Sequence, residues 1–291
     1  MTLRFDERVA LVTGAGSGLG RAYAEWLAAR GARVIVNNRI HDGVPSSAEA
    51  VVEAICSAGG HAIADHHEVD LEESGRAMVE AAYAAFGRLD IVVANAGGNI
   101  KKPVVETSLD EFRRNMDLNF WGTAYPVLHA LPRFFDANYG RIVLTTSAAG
   151  LFGQKNHVAY AASKMALVGF ARALAVEIGK RNVKVNLISP YAFTKGSRHA
   201  IGERLAEIMS PNRVAPVVGW LAHESCEHTG IVLSAGAGRV RRVGIVEGSI
   251  LEAGEDIGAL WPRLSDLEGA KESRNSGRSA LELIPELAPP P

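Results

Sequence analysis

Cysteine is nearly absent from this chain. Cys56 and Cys226 are its only thiols in 291 residues, and they lie in unrelated segments with neither CxxC nor Cys/His ligand spacing, which argues against a disulfide framework or a cysteine-built zinc site. Excess charge is absent too. Lys and Arg total 31 against 32 Asp and Glu, a formal net charge of -1, and the cations are scattered, so nothing marks a surface for nucleic acid or an anionic membrane. No run approaches the ~18 consecutive apolar residues of a membrane span. The opening MTLRFDERVALVTG carries charges where a signal peptide needs its apolar stretch, and the closing ELAPPP is not a peroxisomal SKL-type address. Secretion and membrane spanning are therefore not expected, and the cytoplasm is the expected compartment.

What the chain does have is alternation. Short β-branched runs at 9–13, 33–38, 61–66, 90–95, 141–146, 183–189 and 231–236 are separated by Ala-rich segments of helical period at 21–30, 46–58, 72–86, 109–135, 158–179 and 212–223. Gly31, Gly59 and Gly87 stand where such helices would stop. This is the pattern of an α/β fold, a Rossmann-like doubly wound parallel sheet of about seven strands with helices on both faces. The 47% hydrophobic content can fill its core. One domain is expected over 1–246. Residues 247–291, rich in Gly, Ser, Pro and charge, read as an extension that is partly disordered, most of all after Lys271, with Trp261, Leu264 and Leu267 available for docking.

TGAGSGLG at 13–20 follows the first strand and opens the first helix. Glycines there (Gly14, Gly18, Gly20) permit φ > 0 and close backbone approach, and the helix start, through Ser17 and Leu19, offers free N–H groups to a pyrophosphate. Any tight strand-to-helix turn favours glycine, but the first βα junction of a parallel sheet is where dinucleotides bind. YAASK at 160–164 places Tyr160 and Lys164 four residues apart on one helical face. A phenol with a pKa near ~10 is a poor base, and an adjacent cation lowers that value. Taken alone, YxxxK is more often a core-edge tyrosine beside a solvated lysine. Ser147, just past the fifth strand where such a sheet opens its ligand crevice, shifts the balance towards chemistry. His66 and His67 are neighbours in a strand and point to opposite faces, so no metal site is expected.

TGAGSGLG, NAG at 95–97, Asn119, Ser147 and YAASK, in that order, make the chain resemble the short-chain dehydrogenases/reductases from about residue 6 to residue 240. The resemblance implies direct hydride transfer between a nicotinamide and a carbinol or carbonyl carbon. It makes Tyr160 the acid/base, Lys164 its modulator and ribose ligand, Ser147 the holder of the substrate oxygen, and Asn119 a residue that helps hold a water linking Lys164 to solvent. Asn95, Ala96 and Gly97 would close under the adenine side. Asp70 would contact the adenine amino group, or else serve as the cap of the helix that follows. At the end of the second strand the acidic ribose ligand typical of NAD-users is replaced by Asn38, followed by Arg39, which leans the cofactor from NAD towards NADP.

After the sixth strand the family pattern PG becomes Pro190-Tyr191, with Thr194 retained as a nicotinamide contact. Residues 211–238, with VAP, WLAHESCE and a GAG ending, are similar to the (3R)-hydroxyacyl-CoA dehydrogenase domain of peroxisomal multifunctional enzymes. The implied reaction is the NAD(P)-dependent interconversion of a secondary alcohol and a ketone, on a 3-hydroxyacyl-CoA thioester or a steroid-type substrate. Ile201, Leu205 and Met209 suit an apolar lid or an ordinary core stripe. Homodimers or homotetramers are expected through Phe120, Trp121, Phe170 and Leu174 on the two long helices. The rival readings are a sugar-nucleotide epimerase-like enzyme and a dinucleotide-sensing regulatory protein; the latter would be expected to lack one of Ser147, Tyr160 and Lys164.

Overall fold

The computed structural model describes residues 3–40, 43–192, 203–253, 256–273 and 275–284. They divide into two compact units, Met1–Arg242 and Val243–Pro291. In the first, β1 (Val9–Val12), α1 (Gly18–Ala28), β2 (Arg33–Asn37), α2 (Ser47–Ser57), β3 (His61–Asp65), α3 (Glu72–Phe86) and β4 (Ile91–Ala94) build one half of the sheet. The second half comprises α4 (Leu109–Met116), α5 (Gly122–Asp136), β5 (Gly140–Thr145), α6 (Ala148–Phe152), α7 (Val158–Ile178) and β6 (Val183–Tyr191). It is completed by α8 (Glu203–Ile208), α9 (Ala215–Ala222), β7 (Val232–Gly236) and β8 (Arg239–Val243).

The strand order is β3-β2-β1-β4-β5-β6-β7-β8. Leu11 pairs in parallel with both Ile35 and Val92, so the chain changes direction of travel across the sheet between β1 and β4. Crossover helices leave on opposite sides there, and the gap between them at the strand C-termini is the crevice that doubly wound sheets use. Fully buried runs such as VALV in β1 and IVVA in β4 are what strands covered on both faces require.

One strand exceeds the seven expected. Ala237 and Gly238 both have positive φ (53° and 74°), the backbone of a two-residue reversal, and β8 follows at the sheet edge. Its exposed arginines, Arg239 and Arg241, hide it from apolar periodicity and suit an edge that must not recruit another strand.

The single helix expected over 109–135 is interrupted. Ser108 and Glu111 form a capping box at the start of α4, but Asp117–Trp121 make a π-helical turn before α5 begins. The wider turn displaces carbonyls from their usual partners, and the Thr123 hydroxyl donates to the Asn119 carbonyl at 2.9 Å. Pro126 and Pro132 sit within α5.

At the N-terminal end of the central strand β5 Arg141 is 1% exposed. Its guanidinium donates to the carbonyls of Gly140, Asn182, His223 and Glu224 and to Asn182 Oδ1 at 2.9–3.2 Å. Five N–H groups meet five acceptors, which is how a cation survives burial with no carboxylate on it. Cys226 is buried and Cys56 exposed, both as free thiols.

The second unit has more order than its composition suggests. Glu247 and Lys271 bridge antiparallel, and the Glu247 carboxylate accepts from the Ser273 and Ser279 hydroxyls. Two helices follow the same logic of capping: α10 (Ile257–Leu264), where Asp256 accepts from Ala259 N, and α11 (Ser276–Leu283), where Asn275 accepts from Arg278 N. The latter lies beyond Lys271, where disorder was expected. Trp261, Leu264 and Leu267 are exposed.

Candidate active site

A cleft of about 440 Å³ opens at the C-terminal ends of β1, β4, β5 and β6. Its floor at one end is the glycine turn, where Gly14 and Gly18 have φ of +62° and +58°. A methyl group on Gly14 would stand 2.8 Å from Ala96 Cα, and one on Gly20 would stand 2.3 Å from the Gly14 carbonyl oxygen. The turn is thus packed directly on the NAG segment. Asn95 ties the two together, its backbone N–H and Nδ2 reaching Thr13 Oγ1 and Thr13 O at 3.0 and 3.1 Å.

Ser17, at the start of α1, makes no side-chain cap. The first N–H groups of an 11-residue helix therefore face the cleft with no protein acceptor from that cap, which fits a dinucleotide pyrophosphate. Ser17, Gly18, Leu19, Asn95 and Gly97 line the cleft; Gly14, Gly20 and Ala96 support it from behind.

At the other end stand Ser147, Tyr160 and Lys164, with Asn119 beneath. The contact between α6 and α7 assembles them. A methyl on Gly150 would lie 2.9 Å from Met165 N, and Thr146 Oγ1 donates to the Lys164 carbonyl at 2.6 Å. Ser147 caps α6, its Oγ accepting from Ala149 N at 3.2 Å, which leaves its own proton to donate. The phenol of Tyr160 is pushed above its ordinary value by burial and drawn back by the neighbouring Ser147 hydroxyl.

Lys164 is 2% exposed. Burial pulls its ammonium down to about 8. It donates to the Thr145 carbonyl at 2.9 Å, leaving two of three protons for a ribose. Its Nζ lies 5.9 Å from the Tyr160 ring centroid. Expected as the first influence on the phenol, Lys164 is outweighed here by burial and by Ser147.

Asn119 is wholly buried in the π-helical turn. It brackets the Gly98 peptide, Oδ1 accepting from Gly98 N at 3.2 Å and Nδ2 donating to Gly98 O at 2.9 Å, and Nδ2 also reaches Asn115. Its Nδ2 donors are committed to protein groups, while Oδ1 accepts a single bond. The second lone pair of Oδ1 and the one that Thr123 leaves on the backbone carbonyl are what it can offer a water.

The adenosine end is more open. Asn38 Nδ2 donates to Ser47 Oγ at 2.9 Å, and both press on Gly16, where a methyl would meet Ser47 Oγ at 2.2 Å. Arg39 is exposed. His66 and His67 bond separately, to the Asn38 carbonyl and to Asp65. Asp70 does not cap α3, whose N-cap is Leu71 with no side-chain bond. That removes the helix-cap reading of Asp70. Asn38, Arg39 and Asp70 do not line the cleft.

Pro190 lines it, and β6 runs on through Tyr191 rather than ending at Ser189. Gly236 makes room for Tyr191, since a methyl there would stand 2.4 Å from its carbonyl oxygen. Phe193, Thr194 and Ile201 lie outside the described residues, and Leu205 is exposed. Sequence reasoning missed Gly98, Asn99, Thr145, Thr146 and Ala192, all lining the cleft. TTS at 145–147 held the signal for the two threonines, because a strand that ends at the crevice exposes its last residues there.

A cleft that offers helical N–H groups to a pyrophosphate at one end, and a phenol with a buried ammonium at the other, is suited to hydride and proton exchange at a carbon–oxygen bond. That is the work of a nicotinamide-dependent oxidoreductase. The family model for short chain dehydrogenases matches residues 8–205, and the chain belongs to that family. It is 38% identical over 283 residues to peroxisomal multifunctional enzyme type 2 of Drosophila melanogaster, covering 92% of this chain and 47% of that protein. The chain thus spans about half the length of that relative. The solved structure of the full-length Drosophila enzyme superposes with a TM-score of 0.82 at 33% identity, over 98% of this chain and 50% of that one. A 7α-hydroxysteroid dehydrogenase complexed with NADH and 7-oxo glycochenodeoxycholic acid gives a TM-score of 0.73 at 29% identity, over 81% and 95%. The family is one of dehydrogenases, as the motifs implied. Among the described residues no helix is long and apolar enough to cross a membrane.

Proposed function

We propose that this enzyme interconverts a 3-hydroxyacyl-CoA thioester and its 3-keto form, a role in lipid metabolism, with Tyr160 as the proton donor or acceptor. The observation that carries the chemistry is the meeting of Tyr160, Ser147 and Lys164 at one end of the cleft. The likeness to peroxisomal multifunctional enzyme type 2 along most of the chain supports the acyl-CoA class. A steroid-type ring alcohol is the second reading, supported by the fold's likeness to the 7α-hydroxysteroid dehydrogenase.

NAD(P), when bound, supplies or accepts the hydride. Ser147 donates its free proton to the substrate oxygen and so holds it beside the phenol. Tyr160 passes a proton to that oxygen in reduction and removes it in oxidation. Lys164, anchored on Thr145, holds the ribose and presents its charge to the developing phenolate. Asn119 keeps the 98–99 wall in place. Gly14, Gly18, Gly20, Ser17 and Leu19 seat the pyrophosphate; Asn95, Ala96, Gly97 and Asp70 serve the adenine side; Pro190 and Thr194 serve the nicotinamide.

Asn38 and Arg39 favour NADP in this reading, because neither repels a 2′-phosphate and Arg39 can pair with one. The functional division falls near residue 246, with 1–246 catalytic. Assembly is a homodimer or homotetramer through the faces of α5 and α7. Phe120 packs on Phe170 at 6.0 Å and Trp121 stacks on Tyr125 at 5.5 Å, and Trp121 and Val176 are exposed there. Leu174, expected in the seam, is only 7% exposed and belongs to the core instead.

The test is the absorbance of reduced nicotinamide with purified protein, NAD or NADP, and a panel of 3-hydroxyacyl-CoAs, steroid alcohols and simple secondary alcohols. Turnover confined to simple alcohols would remove the acyl-CoA and steroid readings. Sedimentation giving a monomer at micromolar concentration would remove the assembly.

A further inference from the structure

The catalytic reading makes no use of His157, which is 5% exposed and sits at the N-cap of α7, three residues before Tyr160. Its Nδ1 lies 2.7 Å from the Lys155 carbonyl oxygen. A carbonyl only accepts, so Nδ1 carries the proton and the ring is locked against its own turn. The ring meets Tyr160 edge-on, with centroids 6.3 Å apart and planes at 64°. Its backbone carbonyl accepts from Ala161 N at 2.7 Å, the first bond of the catalytic helix. The same turn is fastened to the facing loop by Lys102 N donating to the Asn156 carbonyl at 2.9 Å.

We propose that His157 is a positioning residue for Tyr160: the imidazole, held by the Lys155 carbonyl, is the wall against which the phenol ring rests. The inference depends on Tyr160 being the proton donor. Helix α7 fixes only the Cα of Tyr160, while the phenol hangs on two rotatable bonds and can swing its oxygen away from Ser147. Misplacement of a reacting group by about 1 Å costs roughly 100-fold in rate. An apolar side chain at 157 could touch the ring but could not grip the Lys155 carbonyl, and an amide could grip the carbonyl but offers no ring edge. Histidine does both.

Three variants separate these parts: His157→Ala, His157→Phe, which keeps a ring, and His157→Gln, which keeps the donor. Turnover of the best alcohol in the panel above is measured well below each variant's melting temperature. Dinucleotide Kd is followed by quenching of protein fluorescence. His157→Ala is expected to lower kcat about tenfold or more while Kd for NAD or NADP stays within twofold; His157→Phe, a ring without the tether, recovers part of kcat, and more of it than His157→Gln, a donor without the ring.

A substrate-free reading comes from 3-fluorotyrosine-labelled protein, with the Tyr160 resonance assigned through Tyr160→Phe. That signal should change from a restrained to a motionally averaged line shape in the Ala and Gln variants and remain restrained in Phe. Full kcat in His157→Ala, equal recovery by Gln and Phe, or an unchanged Tyr160 signal overturns the proposal. Full turnover in Tyr160→Phe overturns the reading beneath it, so the two failures are distinguishable.

Discussion

Replacing Lys164 by Met should make the protein a poorer enzyme and change how its stability responds to pH. In the folded protein burial brings this ammonium from 10.5 down to about 8. At about 1.4 kcal/mol per pH unit, holding it charged at neutral pH costs roughly 3 kcal/mol of stability. The bond to the Thr145 carbonyl at 2.9 Å returns about 2 kcal/mol. Lys164→Met removes both, so at neutral pH it should be about 1 kcal/mol more stable than the parent.

The sign with pH follows from proton counting. Between about 8 and 10.5 the unfolded chain keeps the Lys164 proton and the folded chain has released it, so parent stability rises across that window. The variant lacks the group and misses that rise. Its advantage should vanish and reverse, a swing of roughly 3 kcal/mol, as pH climbs through the window. Urea unfolding of both proteins at a series of pH values measures it. A stability difference that does not vary with pH would refute the reasoning, as would a variant less stable than the parent at neutral pH.

Tyr160→Phe should reduce kcat by roughly 10²–10⁴-fold with dinucleotide Kd nearly unchanged, measured by initial rates and fluorescence titration. Arg141→Met strands five acceptors that the guanidinium satisfies and should cost about 3 kcal/mol or more in chemical denaturation, while kcat per folded enzyme stays at the parent value because the group lies at the N-terminal end of β5, away from the cleft at its C-terminal end. Gly14→Ala combines a φ of +62° with a methyl 2.8 Å from Ala96 Cα; it should destabilise by about 1–3 kcal/mol and weaken dinucleotide binding, read by a lowered melting temperature and a raised Kd.

Seven strands, the main helices and the glycine turn were legible because each is a local pattern: apolar runs of strand length, helical period, and glycines at one junction. β8 was not, because RVRRV carries charge rather than an apolar face. The break at Asp117–Trp121 was invisible for another reason. A π-helical turn has no period of its own, and Asn119 acquires its place by gripping Gly98, which lies 21 residues away in the chain. Helix α11 was missed because capping by Asn275 adds a local bond that average composition does not count.

Spacing alone determined that Tyr160 and Lys164 share a helical face, since four residues is close to one turn whatever the surroundings. Order along the chain determined that the glycine turn and the Ser147 loop lie at the same edge of a parallel sheet. Only the tertiary structure decided what these groups feel. Burial of Lys164 against β5, the grip of Asn119 on Gly98, and the Ser147 hydroxyl meeting Tyr160 in one cleft all join segments that chain spacing does not bring together. Desolvation and contact depend on what folds over a residue, and no local pattern encodes that.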